Sequence, residues 1–167
     1  MELVMRHANR DDAKVISDIL TEAAGWQKKN GHPAWQLDTL SEEKIVPHLE
    51  LFFLAEVAGE AAGTFRFQIE DKLFWPDQLE DDAAYLHKVA VRRKFAGGKI
   101  SQSMLAWAVE HARTLRKKYL RLDCDAVSPG LRAVYEDFGF TYHSDKLIHP
   151  DNKQLGSFLV ARYQYKI

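Results

Sequence analysis

With one cysteine, Cys124, the chain has no internal disulfide available, and its fold must rest on packing. Long apolar runs are missing too; none approaches the roughly 18 residues that cross a bilayer, so no membrane partner is expected. Neither charge dominates, since 23 Lys and Arg face 24 Asp and Glu for a net charge of −1, and so even a balance points to no nucleic-acid partner. Residues 1–10 hold no basic segment followed by an apolar stretch, which makes the cytoplasm the expected compartment. Proline is sparse, five residues in 167, and repeats, low-complexity tracts and linkers are absent, so one domain over 1–167 is expected. What is present suits a globular protein: 46% of the side chains are apolar and 28% charged. A chain of this length buries around 70% of its unfolded surface.

Hydrophobic spacing predicts the element order β-α-α-β-β-β-α-β-α-β-β. Leu3 to Met5 form a short strand, and Asn9, Arg10, Asp11 and Asp12 cap a helix whose Val15, Ile16, Ile19, Leu20 and Ala23 recur at helical intervals. A loop over 26–38 follows. Thr39 and Glu42 have the spacing of a capping box for a short helix through Ile45, Val46 and Leu49, with Pro47 as an irregularity. A buried strand over 51–57, a turn at Ala58, Gly59 and Glu60, and an alternating strand carrying Phe65, Phe67 and Ile69 make a hairpin. The acidic segment 70–82 reads as a loop, and 142–148 and 158–165 as closing strands.

Residues 85–140 carry the functional signal. The stretch 85–91 is apolar and β-branched enough for a buried strand, and Ala96, Gly97, Gly98 and Lys99 break it without proline. A helix then opens, with Ile100, Met104, Ala108, Ala112 and Leu115 on one face, widened by Leu105 and Trp107. Glycines at a helix start let backbone N–H groups point outward together where the helix dipole is positive, which makes a phosphate cradle. Two familiar cradles fail on spacing. A P-loop needs glycine at 93 and Ser or Thr at 100, where Arg93 and Ile100 stand, and the dinucleotide fingerprint finds no third glycine. A second strand over 119–125 puts Leu120, Leu122 and Cys124 on one face. Ser128 and Pro129 then start a helix with Leu131, Val134, Tyr135 and Phe138 in a stripe ended by Gly139.

Together these segments resemble the GNAT acyltransferase family. Val91, Phe95, Gly97, Ile100, Met104 and Leu105 fit its pyrophosphate motif V-x-x-x-x-Q/R-x-x-G-x-G/A, with Ala96, Lys99 and Ser101 as departures. Residues 128–140 are similar to its N-x-x-A-x-x-x-Y-x-x-x-G-F signature, with Ser128 and Leu131 replacing Asn and Ala, and Tyr135, Gly139 and Phe140 matching. The resemblance covers almost the whole chain. It implies an α/β (α+β) GNAT fold: a central mixed, mostly antiparallel twisted sheet of about seven strands flanked by about four helices, with a splayed strand pair binding coenzyme A. It also implies acetyl-CoA as cosubstrate and a small-molecule amine as acceptor. A homodimer is left open. By the same resemblance Val89, Ala90 and Val91 pair with the pantetheine arm, Ala96, Gly97, Gly98, Lys99, Ile100 and Ser101 hold the pyrophosphate, and Ser128 and Tyr135 complete the cosubstrate site.

Amide formation needs a base for the amine and an acid for the departing thiolate. His87 shares a strand face with Val89 and Val91 by simple alternation, and an ordinary imidazole titrates near neutrality, so it is the candidate base; a core histidine is the alternative. Tyr135 is the acid that the family resemblance implies, with core packing as its alternative. Asp123 and Asp125 are secondary base candidates. Cys124 reads as packing, and the histidines show no metal-ligand spacing, so no metal is expected. Lys88, Arg92, Arg93, Lys94 and Lys99 form a basic cluster around the cradle. Trp26, Trp35, Phe65, Phe67 and Trp75 come from elements that flank the acceptor end in the resembled fold, and Tyr85 shares the His87 face. Glu70, Asp71, Asp77, Glu80, Asp81 and Asp82 beside Trp75 suggest attraction of a cationic amine. The other reading is a non-catalytic coenzyme A binding or sensing domain.

Overall fold

The computed structural model describes residues 2–32, 35–78, 80–97, 99–151 and 153–167. Among them seven strands and four helices follow in the expected order. These are β1 (Leu3–His7), α1 (Ala13–Lys29), α2 (Glu42–Ile45), β2 (Phe52–Val57), β3 (Glu60–Gln68), β4 (Ala83–Val91), α3 (Lys99–Thr114), β5 (Tyr119–Asp125), α4 (Pro129–Phe138), β6 (Thr141–Ile148) and β7 (Phe158–Lys166). The sheet runs β1-β2-β3-β4-β5-β7-β6. Its β4–β5 pair is parallel, while β1–β2, β2–β3, β5–β7 and β6–β7 are antiparallel. That is the mixed, mostly antiparallel sheet the resemblance implies. No helix among the described residues is long and apolar enough to cross a membrane. The chain forms two compact units, Met1–Phe67 with His87–Trp107 and Gln68–Leu86 with Ala108–Ile167, so β4 and α3 contribute to both.

In the first unit the start of α1 is fixed by polar side chains. Asn9 Oδ1 accepts the Asp11 N–H at 2.9 Å, Asp12 Oδ2 accepts the Asn9 N–H at 2.7 Å, and Arg6 forks onto the same carboxylate at 2.7 and 2.9 Å. That guanidinium holds the Asp12 carboxyl below the usual carboxylate range. Ile16, Ile19 and Leu20 of α1 pack with Leu40, Ile45, Phe52 and Leu54 in one cluster. The next residue along β2, Phe53, points to the opposite face. There it meets Trp107 of α3 with ring centroids 4.9 Å apart, and its register partner Phe65 lies 6.1 Å from the same indole. Gly63 makes this approach feasible, because a Cβ there would meet Met104 Sδ at 2.7 Å and the Ala90 carbonyl oxygen at 2.8 Å.

Three expectations in this unit need correction. Helix α1 runs on to Lys29, so Trp26 is helical and not in a loop. Lys28 and Lys29 suit its last turn, and Asn30 Nδ2 donates to the Trp26 carbonyl at 2.8 Å. Ser41, not Thr39, precedes α2; the Thr39 hydroxyl instead donates to the Gln36 carbonyl at 2.6 Å. After Ile45 the chain tightens into a 3₁₀ turn over Val46–Leu51, where the missing N–H of Pro47 costs nothing. Strand β3 also ends at Gln68, which leaves Ile69 exposed beyond it.

In the second unit β7 lies between β5 and β6, in register with β5 from Tyr119↔Lys166 to Asp125↔Val160. Leu120, Leu122 and Cys124 are buried as the alternation requires. Pro129 opens α4, and Gly139 at φ 118° closes it in the left-handed conformation. Ser128 occupies the cap position, but its hydroxyl makes no cap hydrogen bond, contrary to expectation. Leu115 lies beyond the end of α3 and is exposed, so the apolar face of that helix stops at Ala112.

Candidate active site

The cradle belongs to the first unit. After β4 the chain is anchored by the Arg92 N–H to the Ala62 carbonyl at 2.8 Å and by the Arg93 N–H to Glu22 Oε2 at 3.0 Å. A 3₁₀ turn over Arg93–Phe95 leads through exposed Ala96 and Gly97 to α3. Gly97 sits at φ 130° with nothing within 4 Å of a built Cβ, so the turn is both glycine-dependent and open. Gly98 lies outside the described residues. The first N–H groups of a helix have no partner inside it, and here they belong to Lys99, Ile100 and Ser101. An open left-handed turn at the start of a 16-residue helix therefore suits a pyrophosphate despite the altered residues at 96, 99 and 101. Of the basic cluster, Lys94 pairs with Glu60, the Arg93 guanidinium lies 4.1 Å from the Trp26 ring centroid, and Lys88 Nζ lies 4.7 Å from that of Trp35. The Nε of Arg92 is buried without a hydrogen-bond partner among the described residues.

Strand β4 contains the feature that sequence alternation could not foresee. Lys88 has φ 56°, a left-handed conformation that costs a side-chain-bearing residue roughly 1–2 kcal/mol. A residue so placed interrupts the period of two between His87 and Val89, so alternation no longer carries the face of Tyr85 and His87 on to Val89 and Val91. Tyr85 is buried, whereas His87, Val89 and Val91 are half-buried and Ala90 is buried. The β4–β5 pairing covers Ala83–Leu86 against Tyr119–Leu122, short of the end of both strands.

Tyr135 belongs to the second unit, on the inner side of α4. Its ring lies 6.0 Å from Phe140 and 6.4 Å from Tyr163 by centroids. Burial, aided by the fields of Cys124 and Asp123, holds its hydroxyl protonated far above the usual tyrosine range. The Cys124 thiol is likewise pushed up to about 12, mainly by burial, which leaves no thiolate at neutral pH. Asp123 and Asp125 are half-buried on β5, and Ser128 is buried.

The expected acceptor residues divide. Trp26 and Trp35 reach the surface of the first unit, and Trp35 lines a cleft of about 400 Å³ with Lys28, His32 and Asp38. Phe65, Phe67, Tyr85 and Trp75 are buried. Trp75 is 1% exposed, with the Arg162 and Arg121 guanidinium carbons 4.6 and 5.1 Å from its ring centroid. The acidic loop is also largely neutralised. Asp77 takes both terminal nitrogens of Arg162 at 2.6 and 3.1 Å, and Lys117 Nζ reaches Asp81 at 2.5 Å. Arg162 holds the Asp77 carboxyl well below the usual carboxylate range.

A second cleft in the first unit, about 330 Å³, has a lining that no motif flagged. Lys44 of α2, His48 of the following turn, Arg66 of β3 and Lys88 of β4 surround it over a floor that includes Ile45 and Phe52. Arg66 stands opposite Phe52 in the β2–β3 register, which places its side chain on the face that α1 and α2 cover. Of these four residues the sequence singled out Lys88, in the basic cluster before the cradle.

Comparison with known proteins bears on the same segments. The family model described as Acetyltransferase (GNAT) family matches residues 16–140. The uncharacterized N-acetyltransferase YesJ of Bacillus subtilis (strain 168) is 26% identical over 140 residues, covering 79% of this chain and 78% of the relative. A GNAT family acetyltransferase structure from Streptococcus agalactiae 2603 superposes with a TM-score of 0.78 at 16% identity, over 99% of this chain and 95% of the other. The PaiA N-acetyltransferase of Thermoplasma acidophilum, solved in complex with coenzyme A, gives a TM-score of 0.74 at 16% identity over 99% and 100%.

Proposed function

We propose, from the premise that this chain belongs to the acetyltransferase (GNAT) family, that it passes an acetyl group from acetyl-CoA to a primary amine of a small molecule, directly and within a ternary complex. Acetyl-CoA supplies the activated thioester. The observation that carries the reading is the left-handed Lys88 inside β4, since backbone strain of this kind persists only where the surrounding structure over-determines it and collects at functional sites, and the open turn at Gly97 leads from the same strand into α3. In this reading the backbone of Val89, Ala90 and Val91 supports the pantetheine arm and polarises the thioester carbonyl. The turn Ala96, Gly97, Gly98 and Lys99, with Ile100 and Ser101 opening the helix, receives the pyrophosphate, and Ser128 completes the cosubstrate contacts.

His87 takes a proton from the substrate ammonium, and the free amine then attacks the thioester carbonyl; as the C–S bond breaks Tyr135 gives its proton to sulfur, and the second nitrogen proton leaves to solvent, from which Tyr135 is reprotonated. The Tyr135 hydroxyl is protonated at working pH, as any tyrosine is, and its assignment as the acid rests on its place in the segment that ends at Gly139 and Phe140. A thermal melt with acetyl-CoA at a hundredfold excess over its Kd should rise by the equivalent of about 2.7 kcal/mol, and an amine panel should release thiol. Tyr135→Phe should lower kcat roughly 10²-fold with the KM for acetyl-CoA little changed. A melting shift without turnover of any amine would make this a coenzyme A sensor, and no shift at all would remove the reading.

A further inference from the structure

We propose that the cleft at the C-terminal end of α1 receives a flat aromatic ring of the acceptor, so that the protein selects arylalkylamines. The inference rests on the acyltransferase reading and deepens it by naming the substrate class. The cleft holds about 400 Å³ in the first unit, and its walls include Ala24 and Gly25 of α1 with Trp35 and Leu37 of the segment that follows. Gly25 is the residue that needs explaining. It lies inside a 17-residue helix, takes no positive φ, and has nothing within 4 Å of a built Cβ, so neither backbone conformation nor packing asks for glycine there. Glycine inside a helix is less stable than alanine, because the chain gives up more freedom to order it. What the missing side chain leaves is room, since Gly25 lines the cleft and any side chain there would take space from it. A bare stretch of helix backbone and an indole lining one cleft make a slot for something flat. Aromatic pairs gain more than their buried area alone, and the volume admits a phenyl or indole group with a short chain. Lys28 and Asp38 give the lining one charge of each sign, so no net field sorts entering ions and selection falls to shape.

Trp35 ties this cleft to the proposed chemistry. Lys88 Nζ lies 4.7 Å from its ring centroid, and Lys88 follows His87 directly in β4. Lys88 lines the neighbouring cleft and not this one, so the Trp35 side chain stands between the slot and the strand. An aryl group lying on Trp35 therefore carries the amine of its alkyl chain toward the strand assigned to the transfer. Of the tryptophans expected at the acceptor end, Trp75 is 1% exposed and Trp26 bears the Arg93 guanidinium on its ring, whereas Trp35 lines a cleft.

The test compares phenethylamine with 2-cyclohexylethylamine, which share carbon count and charge and differ in whether the ring is flat. Thiol release with acetyl-CoA gives kcat/KM, and the melting shift caused by the amine alone reports binding whether or not transfer occurs. Phenethylamine should show a roughly tenfold higher kcat/KM and the larger shift. Gly25→Ala should raise the melting temperature of the free protein by about 2–4 °C and yet raise the KM for phenethylamine roughly tenfold, a pairing of signs that a structural glycine does not give. Gly25→Leu, which fills more of the cleft, should also melt higher and should abolish the preference for the flat ring. Equal turnover or equal shifts for the two amines would overturn the subsite while leaving the acyltransferase reading intact. So would a Gly25→Ala variant that keeps the preference, or one that melts lower, since the glycine would then serve packing. A raised KM for acetyl-CoA in Gly25→Leu, with the phenethylamine KM unchanged, would overturn the acceptor assignment and give the cleft to the cosubstrate. If phenethylamine shifts melting but no thiol is released from acetyl-CoA, the subsite stands and the transfer reading falls. If acetyl-CoA stabilises the protein and neither amine does, the subsite is wrong and the cosubstrate site stands.

Discussion

In segment 70–82 of the second unit carboxylates meet cations held in place for them, whereas beside the cradle of the first unit Arg93 and Lys88 lie over the rings of Trp26 and Trp35. Arg162 shows what the first arrangement achieves. It is 4% exposed, grips Asp77 with both terminal nitrogens, donates to Ser144 Oγ at 2.9 Å and the Phe74 carbonyl at 3.1 Å, and lies on the Trp75 ring. Charge there is structural, fastening a loop that contains no helix or strand of its own. In the first unit the Arg93 guanidinium lies 4.1 Å from the Trp26 ring centroid at an exposed position.

The largest break in that contrast should come from Arg162→Leu. Losing a buried guanidinium that holds a carboxylate, a hydroxyl and a carbonyl should cost about 2–4 kcal/mol in urea unfolding, less than a fully buried pair because Asp77 retains water. A loss below about 0.5 kcal/mol would show that the loop does not depend on it. A smaller effect is expected from acid. The folded Asp77 carboxyl lies below its unfolded value of about 3.9, so its contribution is complete above that pH and disappears as pH falls below it. Asp77→Asn should flatten this part of the stability profile, and an unchanged acid limb would assign it to other carboxylates. The smallest effect should be Arg93→Ala, a loss of about 0.5–1 kcal/mol, because an exposed cation over an aromatic ring contributes little. A loss as large as that at Arg162 would mean that Arg93 is equally structural and would erase the contrast.

Much of the architecture was legible because local pattern and tertiary packing agree. The alternation of Leu120, Leu122 and Cys124 became β5, Pro129 and Gly139 bound α4, and the glycine turn before Lys99 became the start of α3. Boundaries slipped where polar caps compete: Asn30 extends α1 past Trp26, and Thr39 turns back to Gln36 and leaves the helix start to Ser41. The site was legible as far as one continuous stretch encodes it. The cradle and Tyr135 lie in motifs of contiguous residues, whereas Lys44, His48 and Arg66 carry no motif and meet only through the folding of α2 onto β3.

The sequence by itself determined the order of elements and the family, because hydrophobic period, turn chemistry and motif spacing are properties of neighbours along the chain. Tertiary structure alone decided the rest. Lys88 takes a positive φ that no lysine prefers, since intrinsic propensity opposes it and the surrounding strands impose it. Trp75 is enclosed between two guanidinium groups from β5 and β7, which no linear pattern relates to it. Whether a charge is neutralised depends on partners distant in sequence: Asp77 finds Arg162, 85 residues away.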